Sequence, residues 1–250
     1  MSTLLLVPLE DAVVFPNMNI TLAAEVGDED RVLLVPKHEN EYAAVGTVAE
    51  VTERVRLPGG AVAVNVAGLV RGIVGAAVTD TEGRLRAEVE ERPDEVPPAV
   101  KTRELEVEYR AVVEEILELR GADERVSAFV RAIREPGALA DTAGYAPDLS
   151  FEQKVELLEA VDVVERLQLA LRFQRERLAE QQVRRRIREE VESGAQKQQR
   201  EYFLRKQLDS IQKELGEDEQ SVVEEYRTKI AESEMPDEVR EQAERELGRL

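Results

Sequence analysis

No proline occurs between Pro147 and Pro236, and Gly194 is the only glycine between Gly144 and Gly216. Proline removes a backbone donor and an interior glycine costs about 1 kcal/mol relative to alanine, so little in this stretch opposes one very long helix. Apolar residues recur at helical steps, first Val164, Leu167 and Leu171, then after a thin region (Val183, Ile187, Val191) Leu204, Leu208, Ile211 and Leu215. If residues 163–215 are mostly helical they span roughly 80 Å, the reach of an arm rather than a core helix. Ser193-Gly194 marks the expected kink or frayed point, with Gly194 as the hinge. Gly216 suits a left-handed cap, and Glu217-Asp218-Glu219 then reads as a solvated loop or the start of another element. Tyr202, Phe203 and Leu204 point about 100° apart on a helix. They cannot all lie on one narrow stripe, so at least one is expected to touch another subunit, another lobe or a client chain.

The first ~95 residues alternate with period two and carry turn chemistry, the pattern of β-strands. Val62, Val64 and Val66 alternate with small or polar residues, and Pro58-Gly59-Gly60 joins them to the segment 47–57 as a hairpin. Leu85, Ala87 and Val89 form a one-sided strand after Thr81-Glu82-Gly83. Gly68, Gly72 and Gly75 suit bulges or bends where a sheet curls into a barrel, and their spacing is not a dinucleotide fingerprint. In Phe15-Pro16-Asn17-Met18-Asn19-Ile20, Pro16 and Asn17 favour a turn that displays Phe15, Met18 and Ile20. These side chains either plug the barrel or form an exposed apolar patch. Large apolar residues usually end up inside, so Phe15 fits the plug and the adaptable Met18 the patch.

Pro93, Pro97 and Pro98 mark a linker, after which the period becomes helical. Leu105, Tyr109, Val112, Val113, Ile116 and Leu119 form a stripe ending at Gly121; Val126, Phe129, Val130 and Ile133 form a shorter one, broken at Pro136-Gly137; Leu139 to Gly144 make another brief turn. Ser150 with Gln153, and Asp162 with Glu165, have capping-box spacing and each starts a helix. Beyond the arm, helices are expected over 221–230 and from 237 onward, with Pro236 at a first helical position. The pattern at Leu250 is unfinished, as expected of a truncated longer protein.

A formal charge of −19 disfavours general affinity for nucleic acid or anionic membranes. The exception is 166–215, where 13 bases meet 8 acids for a net +5, densest at Arg184-Arg185-Arg186 and Arg188. That cluster reads first as a solvated face paired with Glu180, Glu189, Glu190 and Glu192. A nucleic-acid module on the same arginines, or an arm serving assembly alone, are the alternatives. There is no cysteine and hence no disulfide. The run Leu4-Leu5-Leu6-Val7 is too short for a signal-peptide core, no stretch approaches twenty apolar residues, and a cytoplasmic location is the expectation.

Residues with chemistry are few. No Walker-type loop is present, so this segment should not hydrolyse ATP. Ser210 and Lys213 have Ser-x-x-Lys spacing but lie on an amphipathic helix without an oxyanion partner. His38 is the sole histidine, placed in a polar loop after Pro36-Lys37, and no metal site is expected. The helical pairs Glu104/Glu108 and Glu114/Glu118 read as solvent-facing like charges.

Gln-Arg-Glu-Tyr-Phe-Leu-Arg-Lys-Gln-Leu followed by Ile-Gln-Lys-Glu-Leu-Gly, within 199–216, resembles the segment that precedes the ATPase module of the Lon family of ATP-dependent proteases. Val14-Phe15-Pro16-Asn17-Met18, Gly46-Thr47-Val48-Ala49, Leu57-Pro58-Gly59-Gly60 and Gly68-Leu69-Val70-Arg71 are similar, in order, to that family's amino-terminal domain. Pro136 to Asp141 and Leu157 to Leu167 extend the resemblance over nearly the whole chain. One departure lies between Gly27 and Gly46, which is shorter than the family pattern and lacks a helix.

The resemblance implies an α+β fold: a small β-rich PUA-like barrel lobe over 1–95, a helical lobe over 96–162, the long arm over 163–216, and over 217–250 the start of a linker to an ATPase module. It further implies a substrate-recognition region of a homohexameric, cytoplasmic protease of protein quality control. ATP, Mg and the Ser–Lys dyad would belong to modules outside this segment, which itself needs no cofactor. Phe15, Pro16, Met18 and Ile20 are the expected contacts to unfolded clients. Tyr202, Phe203, Leu204, Leu208, Ile211 and Leu215 are the expected interface residues of the arm.

Overall fold

The computed structural model describes residues 2–56, 62–214 and 217–248, which divide into two compact units, Met1–Arg184 and Arg185–Leu250. The first unit opens with seven strands, β1 (Ser2–Glu10), β2 (Asn19–Leu22), β3 (Arg31–His38), β4 (Glu41–Tyr42), β5 (Val45–Arg56), β6 (Val62–Thr79) and β7 (Leu85–Arg92). The main ladder runs β1-β7-β6-β5-β3-β4, β2 pairs with β6, and β3 also pairs with β1 in parallel. All other pairings are antiparallel. β1 and β3 read Leu-Leu-Leu-Val and Val-Leu-Leu-Val because both faces are covered: Leu5, Val7, Val32 and Leu34 enter one cluster, Leu4, Leu6, Leu33 and Val35 another. No helix intervenes between Gly27 and Gly46.

The expected β5–β6 hairpin is present, and its Pro58-Gly59-Gly60 turn lies outside the described residues. Register shifts fall beside Gly68 and around Gly75, as expected of bulges, whereas Gly72 serves a close approach: a Cβ there would sit 2.6 Å from a Val89 methyl. His38 is not in a loop. It ends β3, pairs with Glu41 of β4, and its Nδ1 lies 2.6 Å from Asp11 Oδ1, because a tight turn folds the polar segment back onto the strand.

The helical part of this unit comprises α1 (Ala99–Arg120), α2 (Glu124–Ala132), α3 (Pro136–Asp141), a 3-10 turn (Thr142–Tyr145), α4 (Phe151–Glu159) and the first turns of α5 (Val163–Glu214). Gly121 caps α1 in the left-handed conformation, φ +62°. Pro136 breaks α2 and also opens α3 as its first residue, a place where the missing N–H costs nothing. The Ser150–Gln153 capping box is complete, and Asp162 Oδ1 accepts from the N–H of Val164 and Glu165 to start α5. Tyr109, Val130, Leu139, Leu157, Leu158, Leu167, Leu171 and Phe173 share one core.

Helix α5 is continuous for 52 residues and passes Gly194 without interruption. Its buried residues lie between Val163 and Gln174, matching the stripe that thins beyond Leu178. In the second unit the acidic run opens α6 (Glu217–Glu232), and α7 (Asp237–Leu247) follows. Pro236 is the N-cap of α7 rather than its first helical residue, since its ψ of 145° is extended. Gly216 and Leu215 lie outside the described residues.

Candidate functional site

The sheet and helical parts of the first unit meet across a buried ionic cluster. Arg71 on β6 holds Asp141 at the end of α3 through two contacts, Nη2 to Oδ1 at 2.6 Å and Nη1 to Oδ2 at 3.1 Å. Its Nε donates to the Leu158 carbonyl at 2.9 Å, carrying the same side chain to the end of α4. Arg166 of α5 lies 3.5 Å from Asp141 and reaches Asp94, in the Pro93–Pro98 linker, at 2.5 Å. Arg71, Asp141 and Arg166 are essentially without solvent exposure. A fork-shaped guanidinium that also reaches backbone carbonyls suits burial, and Nε, Nη1 and Nη2 of Arg71 each find an acceptor here. Gly137 makes room for this cluster: a Cβ there would lie 1.9 Å from Asp94 Oδ2.

Phe15 forms the second tie. The loop 11–18 is pinned to β6 by Asn17 N–H to Gly68 O at 2.9 Å and Gly68 N–H to Met18 O at 2.8 Å. Asn17 adopts φ +65°, which asparagine tolerates. This turn drives the Phe15 ring into the helical core against Gly144, where a Cβ would stand 2.2 Å from Cε2. Phe15 is therefore buried, as the plug reading expects, but it fills the helical core and not the interior of the sheet part.

Above these ties lies an open cleft of about 700 Å³, lined on the sheet side by Pro16, Asn17, Met18, Leu69, Val70 and Arg71 and on the helical side by Phe129, Ile133, Ala138 and Tyr145. Leu69 is 39% exposed, Tyr145 37% and Phe129 54%, while Met18 is half-buried. Met18 is held by its own loop, its Sδ 3.2 Å from the Phe15 nitrogen. Arg92 and Glu135 make the rim polar. Burial pushes the Tyr145 phenol up to about 12, helped by Asp141 and opposed by Arg71, so it stays neutral and able to donate a hydrogen bond.

Of the residues expected to contact clients, Pro16 and Met18 line this cleft, Phe15 lies beneath it without exposed surface, and Ile20 packs half-buried with the sheet core. Tyr202, Phe203, Leu204, Leu208 and Ile211 are all more than half exposed on α5, and Leu215 lies outside the described residues. A Cβ on Gly194 would meet nothing within 4 Å. Among the arginines of the basic cluster, Arg185 pairs with Glu189 at 3.4 Å at four-residue spacing. Sequence reasoning missed the helical wall. Phe129 and Val126 share a helical stripe with Val130, but only Val130 of the three is buried and the other two stay exposed. It also missed the pairing of Arg71 with Asp141, which no local pattern signals across 70 residues.

Residues 3–175 match the family model described as the ATP-dependent protease La (LON) substrate-binding domain. A Lon protease of Chloroflexus aurantiacus is 41% identical over 99% of this chain, one of Salinispora arenicola 41% over all of it, and one of Escherichia coli 32% over 97%. The chain spans about a third of the length of these curated relatives. Among solved structures, the N-terminal domain of a Mycobacterium avium complex Lon protease superposes with a TM-score of 0.61 at 29% identity, covering 69% of this chain and 98% of that one. The Lon N-terminal domain protein of Xanthomonas campestris, at 18% identity and a TM-score of 0.50, shares the fold. With the two tied parts and their cleft inside the matched residues, the chain belongs to the Lon protease family as its N-terminal substrate-binding domain.

Proposed function

We propose that the cleft receives exposed apolar segments of unfolded or damaged proteins and presents them to an ATPase ring and protease carried by the rest of a longer chain. One observation carries this reading: half-exposed or exposed apolar side chains from both parts of the unit, Met18 and Leu69 against Phe129 and Tyr145, converge on a single cleft. Contiguous exposed apolar surface of this kind marks an interaction site, and methionine adapts to varied partners. Weak binding at several points suits clients that share hydrophobicity rather than sequence. Phe15 acts from below, holding the loop that presents Pro16 and Met18, and Ile20 anchors its far end.

The parallel pairing of β1, at one end of the main ladder, with β3, next to its other end, supports a closed PUA-like barrel over 1–95, followed by the helical lobe 96–162, the arm 163–216 and a linker 217–250. The exposed apolar residues of the arm, Tyr202 to Ile211, support contacts within a homohexamer, with Gly194 as a point of bending. ATP with Mg and a Ser–Lys dyad would serve the complete cytoplasmic enzyme. Crosslinking of unfolded casein to this chain tests the cleft: Met18→Asp and Phe129→Asp should cut the yield at least fivefold while far-UV circular dichroism stays unchanged. Undiminished crosslinking in both folded variants would remove the cleft from consideration.

A further inference from the structure

A second cavity, about 210 Å³, opens beside the cleft between α1, α2, the 3-10 turn and α5. Phe129 and Tyr145 line both, so the two adjoin across these side chains. Its walls are Val113, Ile116, Leu117, Val126 and Val130, an apolar lining of the kind that, at ~150 Å³, is known to hold benzene. Two cations stand at it, Arg120 and Arg177, and they share one carboxylate: Arg177 lies 3.1 Å from Asp148 and Arg120 is also paired with it. Arg177 gives a further donor to Gln174 Oε1 at 2.6 Å, and its buried Nε has no hydrogen-bond partner among the described residues. Arg120 and Asp148 are partly exposed at the opening. An apolar cavity with one guanidinium charge in excess, inside a chain of net charge −19, is complementary to an apolar group that carries a carboxylate.

We infer that this cavity takes the carboxyl-terminal residue of a client, its apolar side chain directed inward and its terminal carboxylate shared by Arg120 and Arg177. The volume holds one residue, and only a chain end places a side chain and a carboxylate on the same carbon atom. The inference deepens the client-binding reading above and rests on it: the cleft would hold the preceding residues while the cavity reads the end.

The test is titration of the 250-residue chain with acetyl-Gly-Ser-Gly-Ser-Ala-Phe as free acid, as carboxyl-terminal amide, and as the longer Phe-Asp amide in which only a side chain supplies the carboxylate. The free acid should bind at least tenfold more tightly than either amide, and hydrogen exchange should slow in α2 and at the carboxyl end of α1. Val126→Glu, at a position 44% exposed and so tolerant of a polar group, should abolish the preference by placing a negative charge on the cavity wall. Arg120→Gln should reduce it to near unity. Equal binding of acid and amide overturns the inference, as does a Phe-Asp amide that binds as tightly as the acid. Failure of every peptide to bind while unfolded casein still crosslinks at Met18 overturns the inference and leaves the cleft standing; loss of both removes the two together.

Discussion

Asp141 concentrates the stakes of single residues. Its two oxygens face Arg71 and Arg166, all three side chains have at most 1% exposure, and the two guanidiniums would be left with too little counter-charge without it. Breaking a buried pair at one partner typically costs about 3–5 kcal/mol because the orphaned charge stays out of water. Asp141→Asn should therefore lower the unfolding free energy measured by urea titration by that amount, and a free energy like that of the unaltered chain would show that the cluster contributes little. Gly144→Ala should cost about 1–3 kcal/mol through the clash with the Phe15 ring, with Phe15→Leu recovering part of it in the double variant; additive losses would contradict direct contact. His38 carries a different signature. Its hydrogen bond to Asp11 Oδ1 raises its pKa above the usual 6.5, with the charges of Asp11, Glu39 and Glu152 adding and desolvation opposing. A pKa raised on folding stabilises fully below the unfolded value and ceases to do so as pH rises through the folded one. The gap in urea midpoint between the unaltered chain and Asp11→Asn should thus shrink as pH climbs from below 6.5 upward, and a gap independent of pH would exclude the charged pair.

Individual elements were legible where local chemistry decides them. Gly121, Ser150 with Gln153, and Asp162 act through neighbours within four residues, so the ends of α1, α4 and α5 follow from sequence. Pairings across 30 or more residues do not: Thr47 Oγ1 donating to Val14 O at 2.6 Å, Arg71 to Asp141, and Phe15 against Gly144 depend on which surfaces meet, and the sequence shows only that each has apolar or charged character. The cleft belongs to that second class: it brings together Met18 and Phe129, which lie on separate elements more than a hundred residues apart. Helix α5 offers the sharpest element-level prediction. Gly194 sits mid-helix with an ordinary backbone conformation and open space where a Cβ would go, so alanine adds no clash and removes about 1 kcal/mol of local penalty. Gly194→Ala should slow amide exchange over residues 190–198 severalfold without altering exchange in α1 to α4. Unchanged protection there would mean that the glycine is not the weak point of the helix.

At the scale of the whole molecule the question is which residues make the substrate-binding unit fold. Every member of the three apolar clusters lies between Leu4 and Phe173, and the ionic cluster spans only Arg71 to Arg166. Stability follows from apolar area removed from water and from paired buried charges, and these three clusters and the ionic cluster all lie within Met1–Arg184. The solved mycobacterial relative, 98% of which aligns to 69% of this chain, points to a folding unit of similar extent. A fragment of residues 1–184 should therefore unfold cooperatively in urea with a midpoint indistinguishable from that of the cleft-containing unit in the full chain, read from a label at Cys substituted for the exposed Val126. It should also keep the crosslinking of unfolded casein at Met18. A fragment that is molten, or that folds yet loses casein, would show that residues beyond Arg184 complete the receptor, and the assignment of client binding to the cleft alone would then fail.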